Sequence, residues 1–308
     1  MTNYTKFAIK GALIVLIVSL LAGFLGYLVR LVLARSLSVE EFGLFNAVFA
    51  FLAMIGTFKS LGFDKALTYF IPKFQHEKRR DLIKSSIIYS AIIQIITNFI
   101  IIIAVYFISS YLSINFFHSA KADIALRLMV LAFFLDSFVQ ILKFAFQGFK
   151  EMMYFSGIDF IRMLLIFVII LVGFKLNLGL LSPIAAYIIA PLILLLIFYY
   201  IFSKRVFPEF NTAKFVFDKK ELKRISKYSI FSVESSAAGL ILYYTDIVVI
   251  TYFSTLINVG LYSVALPTAK VLMYFPRAIH AITMPLVAEF WAKGKKELLK
   301  AGIEQLYK

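Results

Sequence analysis

The sequence contains no cysteine, and this absence excludes disulfide bonds and metal sites with cysteine ligands. Its three histidines, His76, His118 and His280, are too far apart to form a zinc-binding pattern. A glycine-rich phosphate loop and the turn motif of a nucleophilic serine are also missing. We therefore predict that the protein is not an enzyme, and the sequence indicates no cofactor.

Acidic residues are also scarce, with 17 against 32 lysines and arginines, which gives a net charge of +15. Such a charge in a soluble protein would suggest a nucleic-acid partner. Here, however, 62% of the residues are hydrophobic, 34 of them are phenylalanine, and the basic residues lie between apolar runs. This pattern indicates a helical membrane protein surrounded by membrane lipids, and we expect no nucleic-acid partner.

Eight apolar segments are each long enough to cross about 30 Å of hydrocarbon as a helix. We predict spans at Ala8–Ala34, Phe42–Phe70, Leu82–Ile108, Ile124–Phe149, Phe155–Phe174, Leu181–Phe202, Ile225–Phe253 and Val259–Val287. The first apolar run is too long for the core of a signal peptide, so we expect it to be a retained helix. The predicted fold class is an all-α polytopic membrane protein with about eight transmembrane helices.

Positive charge is concentrated in alternate connections. If the N-terminus is cytoplasmic, the cytoplasmic segments hold 23 basic residues, whereas the outer loops hold only Arg35, Lys121 and Lys175. Lysine and arginine are enriched in the cytoplasmic loops of membrane proteins. This bias predicts a multi-pass protein of the plasma membrane with both termini in the cytoplasm.

The segment from Val32 to Ala50 has a faint counterpart from Val249 to Pro267. At an offset of 217 residues Gly43 corresponds to Gly260, Leu44 to Leu261 and Phe45 to Tyr262. Such repeats are typical of transporters built from two related halves. We predict a six-helix lobe over residues 1–202, a basic cytoplasmic linker over 203–224, and the first hairpin of an incomplete second lobe, with a basic tail, over 225–308.

Charged residues inside the predicted spans are the candidate site, because charges are costly in a bilayer and mark functional positions. Lys59 lies in the middle of the second span, where Gly56 and Gly62 are expected to loosen the helix. It faces either a cavity, which we favour, or a buried structural ion pair. Arg30, late in the first span, either faces the bundle interior or snorkels to the outer surface.

Three further candidates lie in the last two predicted spans. Lys270 and Arg277 are two turns apart on one face of the eighth span, which prolines interrupt. Asp246 in the seventh span is adjacent to the repeat counterpart of Arg30, and we expect it to hold one of the basic side chains when no ligand is bound. Basic side chains suit a phosphate or pyrophosphate, since they donate charge-assisted hydrogen bonds to its oxygens.

Other polar residues follow helical spacing. Asp136, Gln140, Lys143 and Gln147 form a stripe on the fourth span that faces either water or other polar helices. A milder stripe on the third span, Ser86, Ser90, Gln94 and Thr97, predicts hydrogen bonds that pack helices together. Asp159 and Arg162, one turn apart in the fifth span, predict a local ion pair.

The chain resembles the polysaccharide-type flippases of the multidrug/oligosaccharidyl-lipid/polysaccharide exporter superfamily. The resemblance is carried by Leu33-Ala34-Arg35-x-Leu37, Glu41-Phe42-Gly43-Leu44-Phe45, Leu61-Gly62-Phe63 with Ala66, and Tyr69-x-x-Pro72 before a basic loop. It implies two six-helix lobes around a cavity that opens to one side of the membrane at a time. Basic residues of the first, second and eighth helices line this cavity in related flippases; the matching positions here are Arg30, Lys59, Lys270 and Arg277.

The function implied by the resemblance is transfer of a polyprenyl-linked oligosaccharide, carrying phosphate or pyrophosphate, from the inner to the outer leaflet. The partners would be the lipid-linked glycan and, as a further candidate, proteins of glycan assembly. Family members usually have twelve or fourteen helices, so we expect this chain to be the N-terminal part of a longer transporter. The alternatives are a cation-coupled multidrug antiporter of the same fold and a non-transporting scaffold in a glycan assembly complex.

Overall fold

The computed structural model describes residues 3–271, and within them the side chains of residues 11, 13–233 and 237–269. This range holds nine α-helices and no strand. They are α1 (Asn3–Ser36), α2 (Val39–Gly56), α3 (Phe63–His76), α4 (Arg80–Asn115), α5 (Lys121–Gly148), α6 (Met152–Lys175), α7 (Leu181–Ile201), α8 (Lys219–Phe253) and α9 (Leu256–Val271). The chain divides into two compact units, residues 1–260 and 261–308.

Six helices in this range are long and apolar enough to cross a membrane, and α8 is a seventh if its two halves count as one span. The prediction of an all-α polytopic membrane protein is therefore confirmed. The predicted eighth span, Val259–Val287, begins in α9 and continues outside the described residues.

The second predicted span is broken in the middle. α2 ends at Gly56, and α3 begins at Phe63 after a turn in which Leu61 and Gly62 both have positive φ angles, 45° and 76°. Glycine adopts this conformation at little cost, so Gly62 allows the chain to leave one helix and start the next. The predicted loosening between Gly56 and Gly62 is confirmed, and Lys59 lies within the break.

The connection before α8 packs on α4, whose side chains form hydrogen bonds with the backbone of this connection. The Tyr89 hydroxyl donates to the carbonyl of Val216 at 3.0 Å and accepts from the amide of Asp218 at 2.9 Å, while Ser85 accepts from the amide of Val216. Asp218 then caps α8 by accepting from two amides of its first turn. Because of this cap, α8 begins at Lys219, six residues before the predicted start of the seventh span.

The two copies of the repeat have the same local structure. Ser38 caps α2 by accepting from the amide of Glu41, and Thr255 makes the equivalent contact with Asn258 at the start of α9. The offset is again 217 residues, so the faint sequence similarity marks two equivalent helix starts.

The repeat glycines bring these two helix starts into reciprocal contact. A Cβ atom on Gly43 would clash with the carbonyl of Leu256, and one on Gly260 would clash with the carbonyl of Val39. Val39 and Leu256 are themselves related by the same offset. Only glycine lets the two backbones approach so closely, as is common at helix contacts in membranes.

Replacing Gly43 by valine is expected to destabilise the protein by more than about 2 kcal/mol, because the added side chain must push α9 away from α2. Thermal unfolding of the purified protein in detergent measures this effect. Gly157→Ala is the matched control, since a Cβ atom there meets nothing within 4 Å. A Gly43→Val protein as stable as the control would show that the contact is dispensable.

Candidate functional site

A carboxylate on α5 binds two basic side chains inside the helical bundle. Lys59 Nζ lies 3.1 Å from Asp136 Oδ2, and Arg162 Nη2 on α6 lies 3.0 Å from Oδ1. The side chains of Lys59 and Arg162 are only 14% and 16% exposed. With two cations around one carboxylate, the cluster carries one net positive charge. We call Lys59, Asp136, Arg162 and Gln140 the charged cluster.

Gln140, one turn after Asp136, completes the charged cluster. In the orientation that satisfies its amide, the oxygen accepts from both terminal nitrogens of Arg162, at 3.2 and 3.1 Å. The Nε–H of Arg162 is buried and has no acceptor among the described residues. The two terminal nitrogens of the guanidinium therefore have acceptors, whereas its Nε–H has none among the described residues.

The break between α2 and α3 positions Lys59. Thr97 on α4 donates its hydroxyl hydrogen to the carbonyl of Lys59, and Ser90, two turns earlier, donates to the carbonyl of Phe63. The predicted packing role of the polar stripe on the third span is confirmed at these two positions. The Lys59 ammonium is directed across the bundle to α5, where it also lies 5.6 Å from the ring centre of Phe133.

A cavity of about 90 Å³ adjoins the charged cluster. Asp136 and Arg162 form its polar wall, and its other lining residues are apolar or aromatic: Phe49, Ala132, Phe133, Ile166, Tyr187 and Pro191. Phe49 is central to the aromatic side, with ring centres of Phe133, Tyr187 and Tyr244 at 5.5, 5.4 and 6.2 Å. The cavity is thus mostly apolar, with two charged side chains among its lining residues.

Arg30 lies on α1, the helix that packs against α6. It is partly buried and makes no ion pair with any described residue. One turn before Arg30, a Cβ atom on Gly26 would lie 3.8 Å from the sulfur of Met163, the residue after Arg162. Of the predicted residues, Lys59 thus belongs to the charged cluster, and Arg30 lies on a helix that packs against the helix of Arg162.

The other predicted residues are placed as follows. Asp246 lies on the exposed side of α8, and in the structure Lys59 is paired instead with Asp136. Lys270 is near the end of α9, where side chains are not described, and Arg277 lies outside the described residues. The expectation that these three residues contribute to binding stays a prediction.

The predicted local pair between Asp159 and Arg162 is wrong. Asp159 pairs with Lys143 of α5 at 2.6 Å, and Arg162 pairs with Asp136 of the same helix. α5 and α6 pack against each other, so Asp159 and Arg162 each meet an opposite charge across the interface. The stripe on the fourth span accordingly faces polar helices at Asp136 and Lys143, and not water.

Sequence reasoning did not assign Arg162, Phe49 or Tyr187 to the site. Arg162 lies about two turns into the predicted fifth span, and a charge at this position in a span was the available signal. The two aromatic residues gave none, because a chain with 34 phenylalanines and 17 tyrosines carries such residues on every face of its helices.

The fold and the charged cluster define a multi-pass helical membrane protein with a polar site inside its bundle, the form of a membrane transporter. A family model described as "Polysaccharide biosynthesis protein" matches residues 8–291. The chain therefore belongs to this family, and the resemblance to polysaccharide exporter-type flippases is confirmed.

Two relatives come from Methanocaldococcus jannaschii. "Uncharacterized membrane protein MJ1068" is 32% identical over 99% of this chain and 62% of its own length. "Uncharacterized protein MJ1621" is 37% identical over 13% of this chain and 72% of its own length. A solved structure of a chain called "protein A" has a TM-score of 0.70 at 10% identity, over 87% of this chain and 61% of that one, and shows the fold alone. This chain thus spans about three fifths of the first relative and of the solved structure.

We expect Asp136→Ala to destabilise the protein more than Lys59→Ala does. Removing the carboxylate leaves two buried cations without an opposite charge, at a cost of about 3 kcal/mol or more, whereas removing Lys59 leaves Asp136 paired with Arg162. Thermal unfolding in detergent measures both. Glu77→Ala is the control: its exposed pair with Lys73 is worth less than about 1 kcal/mol. Equal losses for Asp136→Ala and Glu77→Ala would contradict the role of the cluster.

Proposed function

We propose that the protein translocates a polyprenyl-phosphate- or pyrophosphate-linked oligosaccharide from the inner to the outer leaflet, as part of a longer transporter that works by alternating access. The observation that carries the proposal is the charged cluster, which has more positive than negative charge and adjoins a cavity in the bundle. Family membership supports a transporter role and agrees with the glycan substrate.

The sign of the charge selects the class of ligand. Lys59 and Arg162 share a single carboxylate, so one positive charge of the charged cluster has no opposite charge. Phosphate oxygens accept strong charge-assisted hydrogen bonds from such groups. A cationic drug would meet net repulsion here, so the cluster disfavours the multidrug antiporter.

The proposal is tested by flipping in proteoliposomes. The longer transporter that contains this chain is reconstituted with a fluorescent polyprenyl-diphosphate sugar, and an impermeant quencher measures the fraction of label that changes leaflet. We expect Lys59→Ala to slow transfer at least about tenfold, because each charge-assisted hydrogen bond is worth about 1.5–3 kcal/mol. Arg277→Ala is predicted from the sequence to have the same effect.

Lys121→Ala is the control for charge, since Lys121 lies exposed in a pair with Glu41 at the start of α5, about four turns before Asp136. Full activity in both Lys59→Ala and Arg277→Ala would contradict an anion-binding cavity. Binding of the lipid-linked sugar without any transfer would favour the scaffold alternative.

We also propose that the protein lies in the plasma membrane with cytoplasmic termini, on the basis of the charge bias between loops. Because the chain has no cysteine, a single introduced cysteine is its one thiol that a maleimide can label, and the labelling reports the side of the membrane on which that residue lies. An impermeant maleimide applied to intact cells should label His118→Cys between α4 and α5 and leave Lys214→Cys before α8 unlabelled. The opposite pattern would invert the proposed orientation.

A further inference from the structure

The connection before α8 carries a patch of three consecutive apolar residues on its surface. Phe215, Val216 and Phe217 are 44%, 38% and 65% exposed. The protein itself holds the patch in place, because the backbone of Val216 forms hydrogen bonds with the side chains of Ser85 and Tyr89 on α4, at 3.0 Å each. An exposed apolar patch of this kind marks a surface that contacts another protein or a membrane.

The face of α4 on which this patch lies is itself apolar and exposed. Five residues spaced by steps of three and four share this side of the helix: Tyr89, Ile92, Ile96, Phe99 and Ile103. The last four of them are exposed, and α4 is long and apolar enough to cross a membrane. An exposed apolar face on a membrane-spanning helix contacts lipid chains. The patch therefore lies at one end of a lipid-contacting face.

Tyr89 marks the depth at which this face reaches the edge of the bilayer. The last charged residue of α4 is Lys84, and no charge follows it up to Asn115 at the end of the helix. Tyr89 is five residues beyond Lys84, which is about 8 Å along the helix axis. Its ring is buried, with the ring centres of Phe215 and Phe217 at 5.8 and 6.2 Å. The patch thus covers Tyr89 at the level where aromatic side chains are enriched in membrane proteins.

Basic side chains flank the patch on both sides. Lys214 precedes it, Lys219 and Lys220 follow it, and all three are exposed. The two nearest carboxylates have other partners: Asp218 accepts from two amides in the first turn of α8, and Glu221 pairs with an arginine one turn later. Apolar side chains between lysines are typical of segments that bind an anionic membrane surface.

We propose that residues 214–220, the interface segment, bind the surface of the bilayer. Phe215, Val216 and Phe217 enter the boundary between headgroups and lipid chains, and the three lysines contact the phosphates of anionic lipids. The partner is the membrane, because the patch continues the lipid-contacting face of α4 and its flanking charges are complementary to an anionic surface. The segment then holds the start of α8 at the level of the headgroups. This inference does not depend on the proposed function.

The depth of the interface segment is tested with a dye on a single cysteine. The chain has no cysteine of its own, so Phe217→Cys carries the one label. In lipid nanodiscs we expect an environment-sensitive dye at this position to be quenched by lipids with a nitroxide on the acyl chain and to be protected from iodide in the water. Phe215→Cys should give the same result. The matched control is Gln75→Cys, exposed in the last turn of α3, where iodide should quench the dye.

The role of the lysines is tested without a label. Thermal unfolding of the full chain is measured in nanodiscs of phosphatidylcholine and of an equal mixture of phosphatidylcholine and phosphatidylglycerol. We expect the anionic lipid to raise the unfolding temperature, and we expect high salt to abolish this increase. Replacing Lys214, Lys219 and Lys220 together by glutamine should abolish it as well. The matched control removes the same charge from three exposed lysines outside the interface segment: Lys78, Lys150 and Lys204.

Three outcomes would overturn the inference. The first is a dye at Phe217→Cys that iodide quenches as strongly as at Gln75→Cys and that the nitroxide lipids do not quench; the patch would then be open to a protein partner. The second is an unfolding temperature that phosphatidylglycerol leaves unchanged. The third is an equal loss in the two lysine variants, because the headgroup contacts would then belong to this whole end of the protein.

Discussion

The relative positions of α5, α6 and the broken second span depend on the carboxylate of Asp136. It binds Lys59 from the break between α2 and α3 and Arg162 from α6. A second pair, Lys143 with Asp159, joins α5 and α6 seven residues further along α5. Two ion pairs at different depths fix how far one helix can slide along the other. In hydrocarbon a lone charge is expensive, so the helices cannot separate without a large penalty.

The break in the second span is tolerated because neighbouring side chains bind its backbone. Non-helical backbone at membrane depth needs partners inside the protein. Thr97 and Ser90 of α4 supply them by donating to the carbonyls of Lys59 and Phe63. The same arrangement directs the Lys59 ammonium toward α5. A continuous helix would satisfy its own backbone, but it would not hold this side chain at the joint between two helical segments.

Much of this arrangement was predictable from single-helix patterns. The spans follow from apolar length, the break from Gly56 and Gly62, and the repeat from the correspondence of Gly43 with Gly260. The partners of charges were not predictable, because helical spacing shows which face is polar but not which helix faces it. Helical spacing therefore predicts an ion pair between Arg162 and Asp159, one turn away. Because α5 packs on α6, Arg162 pairs with Asp136 instead.

The contacts of the second span explain why its break is the sensitive point. Its first half, α2, touches the start of α9 through Gly43 and Gly260. Its second half, α3, touches α8, where a Cβ atom on Gly62 would clash with the carbonyl of Ser229 and where Tyr69 stacks on Tyr228 at 5.0 Å. Lys59 lies between these two sets of contacts. Lys59 therefore connects the charged cluster to the break in the second span, because its ammonium binds Asp136 and its carbonyl accepts from Thr97. The residue that we propose to bind an anion is thus also part of the break.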